Sequence, residues 1–320
     1  MKAVVVEGPG SDEVLKVEDV PSPPVGPRQI RIRVAATAVN RADLLQREGL
    51  YPPPPGASPI LGLECAGTVA EVGGDVRGWR AGERVMALLP GGGYAAEAIA
   101  DVGSSMRVPD ALSDVEAAAI PEAFLTAFLN IFELGRAASG ESVLIHGGGS
   151  GVGTAATTLS KLAGLRVYVT AGSQEKCRRC LEHGADVAID YTKEDFVQRA
   201  GGVNVILDHI GARYLISDLR ALSTGGRVII IGSMGGERMA DIDVGALLTK
   251  RQQIIGSTLR SRPAEDKAGI VSHFLARFGE DLDAGRVRPV IDRVFPLEQV
   301  AEAHRAMKAD HFGKIVLKVT

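Results

Sequence analysis

The chain has 320 residues, 45% hydrophobic and 23% charged, with a formal net charge of -3 at pH 7 and a pI near 6.1. That length predicts two domains with a core each, and the near balance of charge excludes a basic field for nucleic acid and an acidic tail. No apolar run reaches membrane-spanning length, the opening MKAVVVEGPG reads as a strand rather than a signal peptide, and three cysteines make no disulfide framework, so a cytoplasmic protein is expected.

Residues 1 to about 110 read as β-rich, with short runs at 3–6, 29–35 and 65–72 punctuated by glycine and proline. VPSPPVGP and YPPPPGAS read as stiff connectors within this barrel-like half. Near Asp114 the texture turns helical in DVEAAAIPEAFLTAFLNIFELG, and the domain boundary is placed there. From Ser142 onward strands and helices alternate: strands at 142–146, 166–170, 187–190, 203–208, 227–231 and 253–257, with helices at 175–183 and 213–222 among those between them. Such alternation predicts a doubly wound parallel sheet. The tail then reads as helix 265–284, strand 290–295, helix 297–307 and strand 314–319. Because the second domain already has six strands, the tail is expected to complete the first. The division is therefore residues 1–119 with 261–320, and residues 120–260.

The stretch SVLIHGGGSGVGTAATTLSKLA, residues 142–163, organises the second domain. Its apolar strand, glycine turn and amphipathic helix are what a dinucleotide-phosphate site requires, since free N–H groups and the positive dipole end at a helix start attract a pyrophosphate. The glycine pattern is imperfect: aligned on Gly153 it reads Gly148, Ser150, Gly153, with serine where a glycine normally stands. Serine is small enough to pass, and its hydroxyl can donate to phosphate. After the second strand an NAD site usually carries an acid, but here the chain reads TAGSQEK, residues 170–176. Small residues, the Ser173 hydroxyl and the Lys176 ammonium suit a 2'-phosphate, so NADPH is the expected cofactor. Glu175 as a displaced NAD acid is the competing reading.

Cys177 and Cys180 have the spacing of a metal or redox pair but lie within one helix with no second pair in the chain. They read as two cysteines on a helix face, and the six histidines show no close ligand spacing. No metal site is expected.

GLECAGTVAEVG (62–73), AAAIPEAFLTAF (117–128) and VLIHGGGSGVGTAA (143–156) resemble the medium-chain dehydrogenase/reductase superfamily. NRADLLQREGLYPPPPGAS (40–58), MALLPGGGYA (86–95), VTAGSQEK (169–176) and LRSR (259–262) resemble its zinc-free NADPH:quinone oxidoreductase branch, related to zeta-crystallin. The resemblance implies a GroES-like β-barrel catalytic domain plus a Rossmann domain. It also implies that Asn40 and Leu63 stand where zinc relatives place a cysteine and the histidine of a GHE motif, and that the lobe of structural cysteines is missing.

By the same resemblance, Thr126, Ser150, Gly151, Val152, Gly172, Ser173, Lys176 and Tyr191 contact the cofactor's phosphates and adenosine end. Ser233 and Met234 lie near the nicotinamide, with Asn40 orienting substrate or amide and Tyr51 the candidate hydroxyl for completing the hydroquinone. A quinone accepts hydride without a Lewis acid, because reduction restores an aromatic ring; positioning is then the enzyme's main task. The alternative is NADPH-dependent reduction of α,β-unsaturated carbonyls, which needs a proton donor more strictly. A non-catalytic NADPH-binding protein is a lower-ranked third reading. A homodimer through residues 253–257 is the implied assembly.

Overall fold

A computed structural model describes residues 1–238 and 241–319. The chain divides into two compact units, Met1–Leu125 with Leu259–Thr320, and Thr126–Thr258. Among the described residues no helix is long and apolar enough to cross a membrane.

The first unit is built on the long strand Gln29–Val39, whose Ile30, Ile32 and Val34 alternate inward with Arg31 and Arg33. Its sheet runs in the order Ile291–Pro296, Lys314–Lys318, Gln29–Val39, Glu64–Val72, Arg84–Leu88, Ser105–Arg107, with Glu97–Asp101 also pairing Gln29–Val39. The C-terminal strand enters antiparallel, Ile315 opposite Val39 and Lys318 opposite Ala36, so the last residues belong to the first unit's sheet. One core joins Val4, Leu44, Leu61, Tyr94, Leu297, Val300, Ile315 and Leu317; a second lies between Ile30, Ile32, Val34, Val69 and Val85. Burying such aliphatic side chains stabilises the unit by about 1.5–3 kcal/mol each.

A polar chain threads the first of these cores. The Arg47 guanidinium donates to His304 Nδ1 (3.2 Å), His304 Nε2 faces the Tyr94 hydroxyl (3.3 Å), and that hydroxyl donates to Asp43 Oδ2 (3.1 Å). Burial, and then the Arg47 charge, depress the His304 pKa to about 3. As pH falls from 6.5 toward 3 the unfolded chain takes up a proton that folded His304 refuses, so this group's contribution to stability is lost across that window. His304→Gln is therefore expected to be less stable than the parent at pH 7, with the gap narrowing at pH 4.5. Urea unfolding at both pH values checks this, and a gap that stays constant contradicts it.

The second unit is one parallel sheet in the order Val187–Asp190, Arg166–Ala171, Ser142–Ile145, Val203–Asp208, Leu222–Ile230, Gln253–Gly256. In chain order that is 3-2-1-4-5-6, the doubly wound arrangement the alternation predicted. Leu144, Ile189, Ile206 and Val228 are buried within it, because both faces of a parallel sheet are covered. Cys177 and Cys180 lie on the buried face of helix Gln174–Glu182, where burial pushes the Cys180 thiol up to about 12. They pack the helix against the sheet.

Candidate active site: a nucleotide cradle and a buried polar network

In a sheet of this order, ligands bind beyond the carboxyl ends of the strands, where the strand order reverses. Here that place follows Ser142–Ile145. The chain turns through His146, Gly147, Gly148 and Gly149 and enters helix Gly151–Leu162, with Ser150 as its cap. Ser150 Oγ accepts the Gly153 N–H at 3.0 Å, leaving its own proton to donate outward. Gly151 and Val152 supply the first-turn N–H groups, which lie ahead of the helical ladder.

The glycines are sterically demanded. A Cβ on Gly148 would stand 2.6 Å from Val169 Cβ, and one on Gly153 2.3 Å from the Gly147 carbonyl oxygen. The bare backbone thus forms a cradle of the kind a pyrophosphate needs, and the serine in the middle position serves as the helix cap.

Beyond the second strand, Ser173 caps helix Gln174–Glu182 by accepting the Lys176 N–H at 3.2 Å. Gly172 is exposed, and a Cβ there would lie 2.7 Å from the Tyr191 hydroxyl, so that half-exposed ring lies over it. Glu175 is held by Arg178, with Nε to Oε2 at 3.0 Å and Nη2 to Oε1 at 2.5 Å, while the same guanidinium also reaches Glu182. Glu175 is thereby ion-paired along its own helix.

Ser233 and Met234 follow strand Leu222–Ile230 and are exposed. Their loop is tied to the one after Val203–Asp208 by Met234 N–H to His209 O (3.2 Å) and Gly235 N–H to Ile210 O (2.6 Å). Thr126 is buried, and its carbonyl accepts the Asn130 amide at 2.7 Å.

In the first unit, Asn40 ends strand Gln29–Val39 and precedes helix Arg41–Arg47. Its amide is largely engaged: Nδ2 donates to Glu64 Oε1 (2.9 Å) and Ala38 O (3.3 Å), and Oδ1 accepts from Lys314 Nζ (2.6 Å). Lys314 also donates to Glu64 Oε1 (2.7 Å) and Val39 O (3.4 Å), so all three ammonium protons have acceptors. Glu64 Oε2 takes the Glu122 N–H at 2.8 Å. Asp43 accepts from Asn40 N–H (2.8 Å) and Gly62 N–H (3.0 Å), and burial raises its pKa to about 6.

Tyr51 lies under the Arg260 guanidinium, 5.3 Å from ring centroid to Cζ. Arg260 is fixed by Nε to Pro90 O (2.8 Å) and Nη2 to Gln46 Oε1 (2.6 Å), and its carbonyl accepts Lys267 Nζ (2.6 Å). Burial first, then the Glu122 charge, push the Tyr51 pKa upward, so the phenol keeps its proton at neutral pH. Burial and the neighbouring Glu64 carry the Glu122 carboxyl itself up to about 8.

Sequence reasoning missed Glu64, Lys314, Asp43, Glu122 and Arg260 as members of this site. One signal was present: Lys314 opens KIVLK, a strand otherwise apolar up to its last residue, where a charge needs a buried partner.

The comparisons agree with this geometry. Residues 26–110 match the family described as alcohol dehydrogenase GroES-like domain, and residues 183–317 match zinc-binding dehydrogenase. A quinone oxidoreductase of Lama guanicoe is 35% identical over 329 residues, covering 99% of this chain and 97% of that protein. The quinone oxidoreductase of Pseudomonas syringae pv. Tomato DC3000 superposes with a TM-score of 0.87 at 26% identity, over 99% of each chain. A mycobacterial protein solved in complex with NADPH gives 0.85 at 27% identity, over 100% of each. An identity of this size along almost the whole of both chains, on a GroES-like and Rossmann fold, means that this chain belongs to the quinone oxidoreductase family of the medium-chain dehydrogenase/reductase superfamily.

Proposed function

We propose that the protein is an NADPH:quinone reductase that works without a metal ion. The observation that carries this reading is the Asn40–Lys314–Glu64 network. Where zinc relatives place a metal-binding cysteine, this chain has an asparagine whose oxygen is 2.6 Å from a buried ammonium. A dication there would face the Lys314 charge, and the carboxylate that would offset it already serves that lysine. Leu63, at the place of the histidine, offers no ligand atom.

NADPH, when bound, supplies the hydride. The glycine cradle and the Gly151 and Val152 N–H groups hold the pyrophosphate, with the Ser150 hydroxyl as a further donor. Ser173 and Lys176 take the 2'-phosphate; the pairing of Glu175 with Arg178 supports this preference over NADH, because it turns that carboxylate to a guanidinium on its own helix and offsets part of its charge. Thr126, Gly172 and Tyr191 line the adenosine and phosphate end, and Ser233 and Met234 the nicotinamide end. Asn40 presents the remaining lone pair of Oδ1 toward substrate or amide, and Tyr51 offers a proton. The substrate gains two electrons with the hydride, and one proton completes the hydroquinone.

Steady-state oxidation of NADPH and NADH, side by side, with an ortho-quinone tests this. NADPH with quinone is expected to be the fast pair. A rate no greater with quinone than without it refutes the activity, and one tightly held zinc per chain refutes the metal-free reading.

A second reading, reduction of α,β-unsaturated carbonyls, is supported by one observation: a phenol, a candidate proton donor, is held in place at Tyr51 under the Arg260 guanidinium. Tyr51→Phe separates the two. A fall of about 10²-fold or more with an enal and less than about threefold with a quinone is expected, since only the first needs an enzymatic acid. An equal fall with both acceptors contradicts that assignment of roles.

The strand Gln253–Gly256 is the edge of its sheet, and its exposed backbone supports a homodimer formed by pairing with its copy. Three free, buried cysteines support a reducing, cytoplasmic setting.

A further inference from the structure

Beneath the nucleotide cradle lies a buried histidine that the sequence reading left without a role. His146 is 1% exposed and directly precedes the glycine turn; its N–H donates to Leu207 O at 3.1 Å. The imidazole is held between two partners, with Nδ1 3.0 Å from Thr170 Oγ1 and Nε2 2.8 Å from Asp218 Oδ1. Phe196 and Tyr214 wall it edge-on, each with its centroid 4.9 Å away.

Thr170 in turn holds the turn itself. Its Oγ1 accepts the Gly147 N–H at 3.3 Å, and its carbonyl accepts the Gly148 N–H at 2.9 Å. A threonine hydroxyl has one proton. The Asp218 carboxylate only accepts, so the tautomer that satisfies it carries the ring proton on Nε2, and its bare Nδ1 then accepts the Thr170 hydroxyl proton. In that tautomer the chain runs in one direction: Gly147 N–H to Thr170, Thr170 O–H to His146, His146 N–H to Asp218.

The donor atoms of His146, Asp208 and Asp218 lie within 4.8 Å of one another, the grouping of a cation site. Asp208, however, uses one oxygen on Ile210 N–H (2.6 Å) and the other on Gly211 N–H (2.9 Å), clamping the loop after Val203–Asp208, to which Met234 and Gly235 hydrogen-bond. The trio thus acts as a clamp on the turns at the strand ends.

We infer that His146 is a positioning residue for the bound dinucleotide: oriented by Asp218, it fixes Thr170, and Thr170 fixes the glycine turn that receives the pyrophosphate. This rests on the nucleotide half of the proposed function. The Thr170–His146 and His146–Asp218 links are buried hydrogen bonds and the Gly147–Thr170 link is part-buried, so a lost side-chain partner inside the chain is not replaced by bulk water.

The test is NADPH affinity, read by fluorescence titration of the full chain, alongside quinone turnover. Thr170→Val keeps the side chain's shape and removes the link; it is expected to weaken NADPH binding about tenfold while kcat at saturating NADPH stays within about twofold. Thr170→Ser restores the affinity. His146→Gln, which reaches toward Asp218 and away from Thr170, matches Thr170→Val, and the double variant is no weaker than either single one, since one chain is broken in each case.

Unchanged affinity in Thr170→Val, or losses that add in the double variant, overturns the inference. So does a parallel fall of affinity, kcat and unfolding midpoint that Thr170→Ser does not rescue, because that marks a purely structural role. If His146→Gln does not fold, the Thr170 pair decides alone. Parent protein that binds NADPH but reduces no quinone overturns the proposed activity and leaves this inference to its own variants.

Discussion

Lys314→Met is expected to lower folding stability by about 3–5 kcal/mol, because it strands the Glu64 carboxylate without its cation at a fully buried position. The ammonium is 3% exposed and the carboxylate 0%, so water cannot take over the vacated contacts. Asn40 Oδ1 and the Val39 carbonyl lose a donor in the same step. The companion variant, Lys314→Met with Glu64→Gln, removes both charges and is expected to recover much of the loss, since the cost lies in the unpaired ion rather than in the absence of the pair. Urea unfolding of the parent, the single and the double variant measures it. A single-variant loss under about 1 kcal/mol is the value of an exposed ion pair and contradicts the buried geometry.

The second large effect is expected at the cradle. Gly153→Ala places a methyl 2.3 Å from the Gly147 carbonyl oxygen and 2.9 Å from the Gly148 backbone. These neighbours are main-chain atoms, which cannot rotate away, so the turn or the helix start must move. Overpacking of this kind costs about 1–3 kcal/mol. Because the displaced atoms are those that would meet the pyrophosphate, NADPH affinity is expected to fall by about 10–100-fold. Gly269→Ala is the control: it lies on helix Ala264–Asp283 with nothing within 4 Å of the added methyl. Alanine there is expected to leave NADPH affinity unchanged and to add up to about 1 kcal/mol of stability. Equal NADPH affinity in Gly153→Ala and the parent contradicts the cradle.

Much of the second unit was legible in the chain, for a reason that particular elements make plain. The strand at Ser142–Ile145 shows as an apolar run because a parallel strand is covered on both faces, and helix Gly151–Leu162 shows as a stripe because it is covered on one. Both signals are local. So is the missing acid after Arg166–Ala171, which needs no knowledge of the fold beyond where the strand stops. The role of Ser150 was only half legible: its tolerance in the motif follows from its size, but its acceptance of the Gly153 N–H appears only once the helix start is built.

The polar networks were not legible, because their members are far apart in the chain. Lys314 and Glu64 are separated by 250 positions, and His146 and Asp218 by 72. Periodicity reports which face of one element is buried and is silent on which buried polar group meets which. His146 looked like one of six scattered histidines, and only the sheet order brings it against Thr170 of one neighbouring strand and the helix that carries Asp218.

By itself, then, the amino-acid sequence determined the two-domain α/β character and the strand–turn–helix around the glycine turn, because each of these is written within a few neighbouring residues, while the meaning of Asn40 and Leu63 came only from resemblance to zinc relatives. The tertiary structure alone decided that Asn40 is engaged by an ammonium, that Tyr51 lies under the Arg260 guanidinium, and that a histidine hydrogen-bonds the threonine that holds the glycine turn. Those outcomes depend on desolvation and on hydrogen bonds between distant segments, and both come into being only when the chain is packed.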